Sequence, residues 1–537
     1  MRRLVITRHD LPIDIPSSQF EKVLAGIQVS RTSPVQVLQL EEWHPLNHCF
    51  SNQFFGRFPP SQFTEPSPKL TIDNLPDEVL LDIFDFYRPS QRFSELWREE
   101  CLWFNLAHVC RRWRAVMLES ASRLDLAATL GPKKPGNIET ILSSPWPFFI
   151  NYRCKHVYAS DSALCRMRSA LEHHDRVRGI VLNGSNKWFD DFFEATNSSR
   201  PFPVLESLFL RNRDGELKVS DAFFGNLPDL RLRSLELYRV SLAPISGLLS
   251  SAKSLTNLFL EIYRPFSPSA GMSLLASLQG MPCLCDLALD LFTPSGPPHS
   301  QSQLLIPKDV ALLSKLTSFS YAGSNVFLNA LVAGISAPSL RKARIDFRDE
   351  IRFPIPHLPR FVNEIEERYH AIHVCVWKVW SSYLSFSLSL QTLEYDFWKR
   401  VLEFETGPNP NSFPDSMMRM SDALSMRLTT VEALEVSFGH DTDDYAWEEY
   451  LPWRRFYRHF PSVKTLKIPH CMARTLYQDN GEPDDLAFLP ALEQIDLGQE
   501  PSESQRESQL VAFQPFVSAR LQAGRPVKVL WPVPVDG

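Results

Sequence analysis

The chain has 537 residues, of which 44% are hydrophobic, 12% aromatic and 22% charged, a globular composition that excludes disordered and collagen-like chains. Its 56 Lys and Arg against 62 Asp and Glu leave a formal charge of −6, so no basic excess marks it as a nucleic-acid or acidic-membrane binder. Nine scattered cysteines, an odd number in a long chain, point to reduced thiols rather than a secreted disulfide framework.

Residues 1–69 hold Pro and Ser clusters, such as Pro12, Pro16, Ser17 and Ser18, around short apolar runs, and are expected to form a poorly ordered leader. Arg8, Asp10 and Asp14 interrupt any secretory apolar stretch near the start. The most apolar later stretch, His370 to Leu390, contains His370, His373 and Lys378. It is too polar for a membrane span of about 20 residues. These features predict no membrane partner, and a cytoplasmic or nuclear location, or both.

Near Leu70 the character changes. An Asn-Leu-Pro boundary and an acidic first turn introduce a helix in which Val79, Leu80, Ile83, Phe84 and Tyr87 share one face, with Asp77, Glu78, Asp82 and Asp85 toward water. A second helix is predicted from Leu102 through Met117, with Leu102, Leu106, Val109, Cys110, Trp113, Val116 and Met117 inside a sector of about 120°. Arg111, Arg112 and Arg114 fall outside that stripe and read as a solvated face.

From about residue 175 one short pattern returns: apolar-x-x-apolar-x-apolar. It begins at Val177, Leu205, Leu232, Leu255, Leu284, Leu316 and Leu340, starts that lie 23 to 32 residues apart. It continues at Tyr369, Leu390, Val431, Val463 and Leu492. This spacing is close to that of leucine-rich repeats, and predicts strands joined by helical or irregular return segments and stacked into one parallel sheet. The segment around Val511 to Leu521 reads as a closing amphipathic helix and cap.

In such a strand, the residues between and beside the last two apolar positions point away from the core, because side chains alternate. This places Phe209, Arg211, Tyr238, Phe259, Glu261 and Arg344 on the outer face of the sheet. Phe209, Tyr238 and Phe259 come from successive strands and are predicted to form one exposed aromatic patch for a protein target.

No catalytic constellation is expected, nor any metal or cofactor. The GPKKPG stretch lacks the Gly-Lys-Ser/Thr of a phosphate loop. His173 and His174 have no second ligand pair at metal spacing, and neither do Cys283 and Cys285. No Gly-x-Ser-x-Gly elbow is present.

LPDEVLLDIF followed by VCRRW, carried by Leu75, Pro76, Glu78, Leu80, Ile83, Phe84, Val109, Cys110 and Trp113, resembles the F-box signature. With the loose repeats, the chain resembles the F-box and leucine-rich-repeat proteins of mushroom-forming fungi. The resemblance implies an α/β molecule: a small all-helical F-box, then an irregular leucine-rich-repeat solenoid with a parallel sheet on its concave face. Expected boundaries are a leader at 1–69, the F-box at 70–122, a linker and amino-terminal cap at 123–174, and the repeats with their cap at 175–537. The repeats lack the usual asparagine ladder, since Arg213, Val240, Tyr263 and Phe292 occupy its positions.

The implied function is non-enzymatic. The nine signature residues dock on the adaptor subunit of a cullin-RING ubiquitin ligase, and the repeats hold an unknown protein target, with no nucleic acid, membrane or cofactor involved. The alternative is a non-catalytic leucine-rich-repeat scaffold outside ubiquitination.

Overall fold

The computed structural model describes residues 75–85, 109–120, 138–153, 161–196, 202–219, 231–263, 268–291, 310–348, 355–365, 371–379, 413–438, 453–469, 489–497 and 503–530, residues 472 and 476, and the backbone of strands within 2–40, 126–129 and 383–406. The chain divides into two compact units, residues 1–126 with 146–148, and residues 127–145 with 149–537.

In the first unit, strands β1 (Arg2–Arg3), β2 (Ile27–Val29) and β3 (Leu38–Leu40) pair antiparallel in that order. The rest of the predicted leader lies outside the described residues. Helix α1 (Asp77–Asp85) starts where Pro76, exempt from donating an amide proton, is followed by Asp77 and Glu78 in the positive first turn. Helix α2 (Arg111–Glu119) starts later than the periodicity predicts. Cys110 is extended, with φ −153° and ψ 169°, and its Sγ accepts the Trp113 amide proton at 3.4 Å. Cys110 is therefore a cap rather than a helical residue. Leu102 and Leu106 lie outside the described residues.

The second unit holds an open 16-stranded sheet with β4 (Leu126–Thr129) at one edge. Next in both chain and space come β5 (Phe148–Arg153), β6 (Val177–Gly184), β7 (Ser207–Asn212), β8 (Ser234–Val240), β9 (Asn257–Ile262) and β10 (Asp286–Leu291). After β10 a separate parallel pair, β11 (Ala311–Leu312) with β13 (Ile335–Ser336), flanks the main strands β12 (Ser318–Gly323) and β14 (Lys342–Phe347). Every neighbour from β6 to β14 in the large sheet is parallel. Between them run helices including α3 (Leu242–Ser251), α4 (Pro268–Gln279) and α5 (Asn325–Ala333).

The predicted apolar positions are the core. Leu208, Leu235, Leu258, Leu287, Phe319 and Ala343 lie side by side in register, and each is buried. Burying each large side chain contributes about 1.5–3 kcal/mol. The ladder also runs one residue beyond the strands: the carbonyls of Glu206, Arg233, Thr256, Cys285 and Thr317 each accept two amide protons from the next repeat, at 2.7–3.1 Å.

Parallel pairing is not continuous. After α6 (Leu358–Asn363), strands β15 (Ala371–Val379), β16 (Tyr383–Glu394) and β17 (Phe397–Thr406) form an antiparallel meander, giving the order β14-β17-β16-β15-β18, where β18 is Ala433–Phe438. This corrects the expectation of a wholly parallel sheet. The connections at 380–382 and 395–396 are far too short for a parallel crossover, which needs a dozen residues or more, so those strands must reverse. The pattern starting at Leu390 consequently sits on a strand running opposite to the others. Beyond β18 the parallel order resumes with β19 (Thr465–Lys467), β20 (Gln494–Asp496) and the edge strand β21 (Lys528–Leu530).

Arginines stitch successive return segments together. Arg360 of α6 donates to the carbonyls of Val332, Ala333 and Ile335 at the end of α5. Arg427, on α7 (Phe413–Leu428), donates to Val362, Asn363 and Ile365 at the end of α6. Between α7 and the last helix lies the short α8 (Trp453–Tyr457). Arg520, on α9 (Glu503–Gln522), is 1% exposed and donates to Leu489 at 3.1 Å and Leu492 at 2.9 Å. Each supplies donors and positive charge to carbonyls at a segment end, of which Val362 and Leu489 also accept a local amide proton.

Candidate functional site

Two surfaces bear on function, one in each unit. In the first, Leu75, Leu80, Ile83, Phe84, Trp113, Val116 and Met117 form one buried cluster, with Val79, Leu81, Val109, Cys110 and Trp146 packed half-buried against it. The Phe84 and Trp113 rings meet at 5.0 Å and 57°. Arg112 joins the two helices: its guanidinium donates to the Leu75 carbonyl and to Asp77 Oδ1, at 3.1 and 2.6 Å for the latter. The sequence reading gave Arg112 a purely solvated role, whereas it caps the entry to α1.

Of the nine predicted docking residues, Leu75, Leu80, Ile83, Phe84 and Trp113 face inward. Leu75, expected at the surface, is 4% exposed. Pro76 and Glu78 are exposed, and Val109 and Cys110 are half-buried. The surface here presents Pro76, Glu78 and the edges of Val79, Leu81 and Val109, backed by the buried cluster.

In the second unit the three predicted rings do meet. Phe209 and Tyr238 lie 5.1 Å apart, and Tyr238 and Phe259 lie 4.5 Å apart. The geometry that joins them was not foreseen. In register, Glu236 rather than Tyr238 lies between Phe209 and Phe259. Arg239 adopts a left-handed φ of 59°, and the β8–β9 register shifts between Leu237 and Val240. Such an irregularity re-aims a side chain, and here it accompanies Tyr238 lying between the two phenylalanines.

The patch is consequently less exposed than expected. Phe209 is 4% exposed because the Tyr238 ring packs on it, while Tyr238, Phe259 and Glu261 are half-buried and Arg211 is exposed. The Arg211 guanidinium lies 5.0 Å over the Tyr238 ring, a cation–π arrangement. Burial, then the charge of Glu236, pushes the Tyr238 phenol far above its ordinary range, and a hydrogen bond to Glu236 acts the same way. Arg344 is exposed but shares its row with Phe259 only across Ala288 and Ser320, so it stands apart from the rings.

Two arginines whose pairings the sequence does not announce complete this face. Arg348 pairs with Asp290 at 2.6 Å, and burial raises the Asp290 carboxyl. Arg239 pairs with Glu261 at 3.5 Å and lies over the Tyr263 ring. The partners are 58 and 22 residues apart, so no local spacing announces them.

The other motifs make ordinary contacts where they fall among the described residues. The His174 ring packs edge-on against Phe202. The Cys285 thiol donates to the Cys283 carbonyl, and burial raises its pKa. GPKKPG lies outside the described residues. Among the described residues no group of three or more His, Cys, Asp or Glu is placed to hold a metal ion, and no helix is long and apolar enough to cross a membrane.

Comparison with known proteins bears on the first surface. No curated protein matches the chain. Residues 72–122 match the F-box-like family. The matched stretch contains α1, α2, the Cys110 cap and the Arg112 bridge, all but Trp146 of the cluster described above. Residues 72–122 are accordingly an F-box-like domain.

Proposed function

We propose that the chain is the substrate-recognition subunit of a cullin-RING ubiquitin ligase of the SCF type. The carrying observation is the F-box-like domain at 72–122, since F-box domains generally bind the small adaptor of such ligases. In this reading, exposed Pro76 and Glu78 and the half-buried Val79, Leu81 and Val109 meet the adaptor. The second unit acts as an irregular leucine-rich-repeat solenoid that holds a protein target and performs no chemistry itself. Support for that part comes from the repeated parallel strand and return segment, and from a sheet face carrying aromatic and charged side chains. The proposed location is the cytoplasm, the nucleus or both, where such ligases work.

The test is co-purification of the full chain with the adaptor. Pro76→Arg combined with Glu78→Lys alters exposed positions only, so folding should be retained by circular dichroism. Adaptor recovery should fall at least tenfold. Undiminished recovery by the folded variant, or no recovery by the native chain, would favour a scaffold outside ubiquitination.

A further inference from the structure

We propose that the edge of the large sheet where its strands begin binds an acidic, Asp/Glu-rich polypeptide segment. This rests on the substrate-receptor reading and names the chemistry of the target. The argument starts from the carbonyl ladder. Because the carbonyls of Arg233, Thr256, Cys285 and Thr317 each accept from the next repeat, the last of them from the Arg341 amide, these residues lie at one level along the same edge.

Cations collect at that level. Arg231 and Arg233 precede β8, Lys253 precedes β9, Lys315 precedes β12, and Lys342 opens β14. All five are exposed, and none is ion-paired with a described residue. Exposed Arg341 adds charge there while holding contacts of its own. Of the described carboxylates nearby, Glu206 pairs with Arg178 at 2.9 Å, and Asp286, which opens β10 beside Asn257, interrupts the row of cations.

In a chain whose net charge is −6, this is a local reversal of sign. Four strand steps of about 4.8 Å separate β8 from β14, so the row of cations spans about 19 Å, the reach of about six extended residues. Further along the strands stand Glu236, Glu261 and Asp290, the last two paired with Arg239 and Arg348. A short acidic segment confined to the edge meets an excess of positive charge and stops short of these carboxylates.

The experiment measures fluorescence anisotropy of a fluorescein-labelled octaglutamate peptide with the full chain. An octalysine peptide and a single-stranded DNA dodecamer serve as comparators. The variant combines Arg233→Glu, Lys315→Glu and Lys342→Glu, all exposed positions, with the melting temperature checked against the native chain. Octaglutamate affinity should fall at least tenfold in the variant and weaken as salt is raised through the range where the Debye length shortens below about 10 Å. Equal affinity for native and variant chains, or tighter binding of DNA than of octaglutamate, would overturn the proposal. Adaptor co-purification is read on the same proteins. Adaptor retained without octaglutamate binding overturns this inference alone, and octaglutamate bound without adaptor supports it while removing the ligase reading.

Discussion

The F-box-like domain and the sheet unit distribute their cores in opposite ways. The first concentrates seven buried side chains around two nine-residue helices, so each contacts a large part of the whole. The second strings its core along 16 strands in which a side chain meets mainly its own repeat and the two beside it. Damage should therefore be global in the small domain and local in the large unit.

Trp113→Ala should give the largest effect, about 3–5 kcal/mol, because it empties the centre of the small cluster and removes the ring packed on Phe84. In hydrogen exchange the described amides of α1 and α2 should lose protection together while β6–β10 remain unchanged. Loss confined to α2 would break the comparison from the side of the small domain.

Arg520→Met keeps most of the buried volume but strips donors from the carbonyls of Leu489 and Leu492. About 2–3 kcal/mol is expected, from stripping the Leu492 carbonyl of this donor while Leu489 keeps only the Leu492 amide. Protection should fall in β20 and β21 and persist from β6 to β10. Loss spreading to β6 would show that the large unit is one cooperative block.

The smallest effect concerns His459, which lies 3.4 Å from Asp422 and beside Arg455. Burial lowers its pKa from the ordinary 6.5, more than Asp422 raises it, and Arg455 lowers it further. The unfolded chain therefore takes up the proton first as pH falls. Its contribution to stability should be complete above about pH 6.5 and decline below it. His459→Gln should make the urea midpoint less dependent on pH between about 7.5 and 5.5. An unchanged or steeper acid dependence would mean that Asp422 dominates.

How much of this was legible in the residues differs by kind of contact. The core of β6–β14 was readable because each apolar triplet pairs with its sequence neighbours, so period alone fixes register. The meander was not, because strand direction depends on connection length, and the alternating Ser385, Ser387 and Ser389 look the same either way up. In the small domain, Leu75 and Trp113 were identified from their motif. Which of the motif residues face outward depends on how α1 and α2 pack, and the cluster they form also takes in Trp146, far from the motif in sequence. The basic edge escaped detection because Arg233, Lys315 and Lys342 are isolated single charges along the chain, gathered only by the stacking of strand starts. The left-handed Arg239 had no signal at all, since glycine or asparagine usually marks that conformation.

The antiparallel meander also settles a question of parity. Since β17 runs parallel to β14 and β15 runs parallel to β18, the flanking strands see neighbours of their own direction. Two strands more or fewer at this point would leave both junctions intact, whereas a single strand would force one of them to reverse. Elsewhere the sheet lengthens by one strand with its return segment. The molecule thus has two different units of growth, and the boundary between them lies at β14 and β18, where length variants of this architecture should differ in steps of two.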